Sequence, residues 1–349
     1  MEDAEVIIRL EGRVGRITLN RPQALHALTT NMCREMIAAL SAWRDDPAVE
    51  LVLLDHTGER GFCAGGDIRS LAESARGDGL ANHEFFFTEY RLDHLLFHYP
   101  KPKVAIMDGV VMGGGVGIAR PCRFRVGTER TTFAMPETGI GLFPDVGGSW
   151  YLSRMPDHIG TWLALTGARL KAADCELVGM ITDYVESADL PELKDRIIKD
   201  PAAVETLLTE FEAEAGRPPI AGHQDEIARA FAGDSVEGIV AALEALGSDW
   251  AREQLAIIAT KSPLSTKIAL RQMREGARAH AFAEVMTMEY RIAHRLAVSH
   301  DFLEGVRAVI LDKDNKPRWD PPTLKAASEA MVDAIFAPLA SNLEWSPLP

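Results

Sequence analysis

Two acidic side chains, Glu137 and Asp145, stand eight residues apart in the run Met135-Pro136-Glu137-Thr138-Gly139-Ile140-Gly141-Leu142-Phe143-Pro144-Asp145-Val146-Gly147-Gly148, which is otherwise apolar and rich in Gly and Pro. Carboxyl groups in such surroundings need hydrogen-bond partners or take raised pKa values, which is how a general base or a nucleophile is tuned. A turn-capping Asp beside a solvated Glu satisfies the same pattern. Two glycine clusters offer a second kind of chemistry: Phe62-Cys63-Ala64-Gly65-Gly66-Asp67-Ile68 and Val111-Met112-Gly113-Gly114-Gly115-Val116-Gly117. Glycine lets backbone N–H groups come close to a ligand, and a Gly-rich turn that opens a helix aims those donors at an anion. Two such turns side by side would make an oxyanion hole; close packing of backbone on backbone asks for the same residues. Neither cluster meets the dinucleotide pattern GxGxxG, because Ile118 or Arg120 occupies the third glycine place, and no Gly-Lys-Ser/Thr follows to make a P-loop.

These residues need a scaffold, and the first half of the chain alternates strand-like with helical runs. Val6 to Leu10 and Gly15 to Asn20 suit a hairpin turning at Gly12. Thr29 or Thr30 can cap a helix whose apolar positions are Met32, Met36, Ile37 and Leu40. Glu50 to Asp55 reads as a buried strand ended by Gly58, residues 61–67 as a loop, and 73–81 as a mobile polar stretch. A helix over 84–97 ends before Pro100 and Pro102. Strands follow at 103–107, 124–128, 132–134 and 181–186, with a short apolar helix opening at Gly113 to Gly115. Beyond residue 190 helices dominate, among them long amphipathic patterns over 255–276 and 282–299. The pattern predicts an α/β core over residues 1–190 and a helical region with a tail over 191–349.

Composition narrows the function. With 51 acidic against 37 basic side chains the net charge is −14, so the clustered Lys and Arg that hold nucleic-acid phosphates are lacking and no nucleic-acid partner is expected. The weakly charged stretch 104–119 is shorter than the roughly 20 apolar residues of a bilayer helix, so no membrane role is expected either. The acidic start, with no apolar core after it and no Arg-rich amphipathic character, predicts a cytoplasmic protein. The four cysteines, at 33, 63, 122 and 175, are too widely spaced for a disulfide framework or a CxxC zinc site and read as buried small hydrophobes. His94 and His98 stand four apart, but no third ligand accompanies them, and no metal is expected.

The order and spacing of four motifs are specific. Leu19-Asn20-Arg21-Pro22 through Ala27-Leu28, then Phe62 to Asp67, then Gly113-Gly114-Gly115, then Met135-Pro136-Glu137, resemble the crotonase (enoyl-CoA hydratase/isomerase) superfamily over roughly residues 5–190. Within it, the run from Met135 to Gly148 resembles the 3-hydroxyisobutyryl-CoA hydrolase group. So do Phe86-Phe87-Thr88-Glu89-Tyr90, Ser262-Pro263-Leu264-Ser265 and the segment Asp301 to Ala308, which extend the likeness to nearly the whole chain.

The resemblance implies a spiral of repeated ββα units, with C-terminal helices covering an acyl pocket. It implies that the N–H groups of Gly66 and Gly114 bind a thioester carbonyl. Ala64, Asp67 and Ile68 would line the adenine and pantetheine path, together with the segment from Ala24 to Leu28, where His26 stands in the place commonly held by Asn. Superfamily hydratases use two glutamates, and the place of the first is Gly117 here, so Glu137 alone remains and hydration is disfavoured. Asp145 points to the hydrolase group and to valine catabolism. Glu137 would attack the carbonyl or activate a water. Asp145 would meet the 3-hydroxyl or assist the departing thiolate, and Glu89 would be a further hydroxyl contact. The chemistry implied needs no metal or redox cofactor, and coenzyme A enters only as part of an acyl-CoA substrate. Arg21, Arg69 and Lys101 are candidates for its 3′-phosphate, and a homo-oligomer is in keeping with the superfamily. An enoyl-CoA hydratase or isomerase on the same scaffold, or a non-catalytic acyl-CoA binder, are the alternatives.

Overall fold

The computed structural model describes residues 4–348; the first three residues of the acidic start and the final residue lie outside it. Two compact units interleave along the chain. One holds the residues up to Gly66, Leu92–Phe133 and Leu170–Pro219; the other holds Asp67–Arg91, Ala134–Arg169 and the residues from Ile220 onward.

The first unit is built on a six-stranded sheet in the order β1 (Val6–Glu11), β2 (Val14–Leu19), β3 (Leu51–His56), β5 (Lys103–Met107), β7 (Phe124–Gly127), β10 (Asp183–Tyr184). The β1–β2 hairpin is antiparallel, with Val6 opposite Leu19, and every later pairing is parallel. All six residues of β3 and all five of β5 are buried, which explains why they read as continuous apolar runs rather than alternating ones. Helices Leu190–Lys199 and Val204–Phe211 lay Leu193, Ile197, Leu207 and Leu208 against Val14, Leu53, Val104 and Val126. The helices beyond residue 190 are therefore of two kinds, since those up to residue 219 close this sheet. Thr29 caps the helix Thr30–Arg44 by accepting the Met32 N–H at 3.2 Å. A smaller sheet runs β4 (Gly61–Cys63), β6 (Val110–Met112), β8 (Thr132–Ala134), β9 (Leu170–Lys171). All four cysteines are free and buried.

Three local expectations are corrected. Residues 61–63 are a strand, not loop, because Gly61 and Cys63 pair with Val110 and Val111 of β6. The stretch taken as mobile is in part the helix Ile68–Arg76, which buries Leu71 and Ala72 and is capped by Asp67. The long pattern over 255–276 is two helices, Asp249–Ala259 and Pro263–Arg278: Ser262 accepts the Ser265 N–H at 3.1 Å, and Pro263 has no N–H to continue the first helix. Among the described residues no helix is long and apolar enough to cross a membrane.

One buried charge ties the large sheet together. Asp55 on β3, 1% exposed, accepts from Arg16 at 2.7 Å, Thr18 at 2.6 Å and Lys194 at 3.2 Å. Burial alone would raise its pKa, but these partners outweigh burial and hold it below the ordinary value. Its contribution is thus present above the unfolded carboxylate pKa and is lost as pH falls through the depressed folded value. Asp55→Ala should cost roughly 2 kcal/mol at pH 7 by urea denaturation, because it takes from Arg16, Thr18 and Lys194 the acceptor they share; a loss under about 0.5 kcal/mol, the range of an ordinary surface substitution, would show the network to be dispensable.

Candidate active site

The glycine clusters lie side by side within the first unit. Strands β4 and β6 are parallel neighbours, so the turns that leave them, Ala64–Gly66 and Gly113–Gly115, leave in the same direction. A Cβ on Gly115 would stand 2.4 Å from the Cys63 carbonyl oxygen, so only glycine permits this approach. Gly114 is the first residue of the buried helix Gly114–Ala119, where backbone N–H groups have no acceptor one turn back. Gly117 lies inside that helix and supplies no acid. The 64–66 turn is fixed from the other side: Ala64 N–H donates to the Leu25 carbonyl at 3.0 Å and Leu28 N–H to the Gly65 carbonyl at 2.8 Å.

The segment Ala24 to Leu28 belongs to this unit but differs from expectation. Leu25 and His26 have left-handed φ of 49° and 55°, and His26 is 2% exposed. Its Nδ1 accepts the Arg21 N–H at 2.9 Å, which leaves Nε2 as the donor to the Thr57 carbonyl at 2.9 Å. Burial first, and the nearby His56 ring next, push its pKa down to about 4. The ring therefore holds the turn, with both nitrogens engaged by backbone groups of this chain. Leu28 is fully buried, with its N–H on the Gly65 carbonyl. Of the three basic candidates for the 3′-phosphate, Lys101 is spent on the Trp43 and Asp46 carbonyls and Arg21 pairs with Glu5 at 3.0 Å, whereas Arg69 is exposed.

The carboxyl groups lie in the second unit. Asp67 and Ile68, half-buried, begin the helix described above. Glu137 opens the 3-10 turn Glu137–Ile140, which ends at Gly141 with φ +73° and the Leu142 N–H on the Glu137 carbonyl at 3.0 Å. A Cβ on Gly141 would come within 2.3 Å of the Asp301 backbone, and one on Gly305 within 2.5 Å of Ile140. Asp301 in turn accepts from Ser262 Oγ at 2.6 Å and from Asp320 N–H at 2.7 Å. The Ser262 and Asp301 motifs are thus the bed on which the Glu137 turn lies.

Glu137 is 7% exposed, and its Oε2 has no hydrogen-bond partner among the described residues. Burial, then the Asp145 charge, push its pKa well above the carboxylate range, with Lys261 pulling weakly the other way. Asp145 is 8% exposed, and Tyr90 O–H donates to its Oδ2 at 2.8 Å. Burial raises its pKa to about 6 against the downward pull of that bond. Glu89, on the same helix as Tyr90, is 2% exposed.

The turn carrying Asp145 is strained and braced. Val146 has φ +53°, a region a β-branched residue rarely enters, at a cost on the order of 1–3 kcal/mol. Glu289 on the helix Phe282–Leu296 accepts the Gly147 N–H at 2.8 Å and the Ser149 N–H at 2.9 Å. Gln272 donates to the Pro144 carbonyl and to Ser149 Oγ. Tyr90, Lys261, Gln272 and Glu289 were not singled out by sequence reasoning, yet the last two carry a readable signal: each is a polar side chain on the apolar stripe of its helix, between Ala269 and Met273 or between Met286 and Ile292. Among the described residues no group of three His, Cys, Asp or Glu side chains could hold a metal ion.

Comparison with known proteins places this arrangement. The family model for enoyl-CoA hydratase/isomerase matches residues 14–336. The mitochondrial 3-hydroxyisobutyryl-CoA hydrolase of Gallus gallus is 43% identical over 348 residues, 97% of this chain and 90% of that protein. The protein of the same name from Danio rerio is 45% identical over 345 residues, 96% of this chain and 90% of that protein. A solved structure titled a carnitinyl-CoA dehydratase, from Mycobacterium thermoresistibile, superposes with a TM-score of 0.94 at 41% identity and covers 99% of both chains. The relatives' names also overturn the cytoplasmic expectation, since both are mitochondrial proteins. That expectation leaned on the acidic opening residues, with no apolar core after them and no Arg-rich amphipathic character, whereas the folded part of an enzyme meets the same aqueous solvent in either compartment. By sequence and by fold, the chain belongs to the enoyl-CoA hydratase/isomerase family, the crotonase superfamily.

Proposed function

We propose that the chain hydrolyses the thioester of 3-hydroxyisobutyryl-CoA, or of a close 3-hydroxyacyl-CoA, to the free hydroxy acid and coenzyme A, as a step of valine catabolism. The relatives' names support this reading. The observation that carries it is the buried carboxyl of Glu137, with one oxygen unpartnered among the described residues and Asp145 close enough to raise its pKa. A group that costly to bury is kept where it has a reaction to perform.

In this reading the N–H groups of Gly66 and Gly114 receive the carbonyl oxygen, each stabilising the developing oxyanion by about 3–4 kcal/mol. Glu137 acts as the carboxylate. Either its oxygen bonds to the carbonyl carbon as the C–S bond breaks, giving a mixed anhydride that water then opens, or it takes the proton of a water that attacks directly. Both routes end in the acid and the free thiol. Tyr90 occupies one oxygen of Asp145, which leaves the other for the 3-hydroxyl or for the proton that the thiolate takes up. Glu89 is a further hydroxyl contact, and Ala64, Asp67, Ile68 and the backbone near Leu28 line the path of the coenzyme A arm. No step calls for a metal or redox cofactor, and coenzyme A is part of the substrate.

The dehydratase title of the structural relative suits a second reading, water addition or removal across the C2–C3 bond. That chemistry would have to run without the first superfamily glutamate, whose place is Gly117. Following thiol release with a chromogenic reagent, alongside crotonyl-CoA absorbance, separates the two: 3-hydroxyisobutyryl-CoA and 3-hydroxypropionyl-CoA should release thiol, acetyl-CoA should not, and crotonyl-CoA should be left intact. Loss of crotonyl absorbance without thiol would reverse the assignment.

Two variants test the residues. Glu137→Gln should lower kcat at least about 10³-fold with ester binding retained, and Asp145→Asn about 10²-fold, within the range of acid–base groups. Because both carboxyl pKa values are raised, kcat/KM should decline on the acid side well above pH 4.5, the ordinary carboxylate value. The Asp145 charge disfavours ionisation of Glu137, so Asp145→Asn should move that acid limb to lower pH; an unmoved limb would mean that the two groups do not titrate together.

A further inference from the structure

Within the second unit, Glu289 is a buried acid with no direct part in the proposed reaction. It is 0% exposed and sits on the apolar face of the helix Phe282–Leu296, beside Val285, Met286 and Ile292. An apolar side chain would fill that place at far lower cost, since replacing a buried charge by well-packed hydrophobic groups is often neutral or stabilising. What Glu289 does there is specific. Its two oxygens accept from two N–H groups of a single turn, Gly147 at 2.8 Å and Ser149 at 2.9 Å. That turn runs through Val146 and Gly147, both left-handed at φ +53° and +83°, and closes with the Gly148 N–H on the Asp145 carbonyl at 2.7 Å.

We propose that Glu289 is a positioning residue for the reaction: its carboxylate holds the turn after Asp145 in its strained conformation and so fixes where the Asp145 carboxyl stands. The inference rests on the reading above that Asp145 meets the substrate. Gln272 adds to the brace by donating to the Pro144 carbonyl and to Ser149 Oγ. Tyr90 fixes the Asp145 side chain itself, at 2.8 Å. Two backbone donors converging on two separate oxygens suit a carboxylate. A glutamine can accept at only one of these positions, and its NH₂ would face the other N–H. Burial, with the Asp145 charge, raises the Glu289 pKa to about 8, against the downward pull of the Ser149 side chain and of the Gly147 and Ser149 N–H groups.

The test is a double-mutant cycle with hydrogen exchange on the full-length protein. Glu289→Gln should lower kcat for 3-hydroxyisobutyryl-CoA by about 10- to 100-fold, as sub-ångström misplacement of a reacting group does, with KM within about threefold of wild type. Amides of the peptide 144–151 should exchange faster in this variant while other peptides keep their rates. Paired with Asp145→Asn, Glu289→Gln should add less than about twofold, because a residue acting only through Asp145 has nothing left to position. Wild-type kcat in Glu289→Gln, losses that multiply in the double variant, or unchanged exchange over 144–151 would each overturn the proposal. Should Glu289→Gln fail to fold, Glu289→Asp keeps both acceptor oxygens but withdraws them by one methylene, and the same outcomes apply. If wild-type protein releases no thiol, the proposed function fails, and hydrogen exchange over 144–151 still decides whether Glu289 holds the turn.

Discussion

Keeping two carboxyl groups out of water a short distance apart in the chain is the constraint to which the second unit is built. Glu137 and Asp145 are each more than nine-tenths buried, and the charge of one opposes ionisation of the other. Bulk solvation would relieve both penalties but would also blunt the chemistry proposed for them, because a carboxylate wrapped in water is a poorer nucleophile and a weaker base. The fold answers with fixed dipoles in place of solvent: a tyrosine hydroxyl on Asp145, a lysine near Glu137, and a brace of backbone hydrogen bonds around the segment that joins them.

Rigidity of that segment comes from elements distant in sequence. Gly141 and Gly305 are glycine because the Asp301 backbone and Ile140 press against them, and Ser262 and Asp301 are polar because they bond each other beneath the Glu137 turn. The motifs around Ser262 and Asp301 therefore need no direct role in the chemistry: they determine where Glu137 stands. In the first unit the division of labour is similar. Asp55 locks β2 and β3 to the helix that carries Lys194, and His26, turned inward, locks the turn beside β4.

Much of this was legible in the residues. Buried strands such as 51–56 and 103–107 declare themselves because every side chain is apolar or satisfied, and Thr29 announces its helix through capping chemistry. Glu137 and Asp145 stood out because charge is rare in an apolar, Gly-rich run. What stayed hidden depends on contacts across the chain. The strand Gly61–Cys63 is too short to have a period and exists only because β6 lies beside it. His26 sits where a ligand contact was expected, but its left-handed backbone turns the ring toward Arg21 and Thr57, which no linear pattern reveals. Glu289 and Gln272 interrupt otherwise regular apolar stripes, a signal that is easily set aside as a helix edge.

The reach of the Glu289 brace also bears on when the protein becomes whole during synthesis. Gly147 leaves the ribosome 142 residues before the side chain that holds it, a separation that takes on the order of ten seconds or more at typical elongation rates. Until then the strained Val146 turn lacks the side chain that accepts from Gly147 and Ser149. The large sheet, whose strands are complete by Tyr184, can form well before. Scaffold and brace are thus separated in time as well as in sequence: a chain stopped at residue 249 would hold every strand of the large sheet but neither Gln272 nor Glu289.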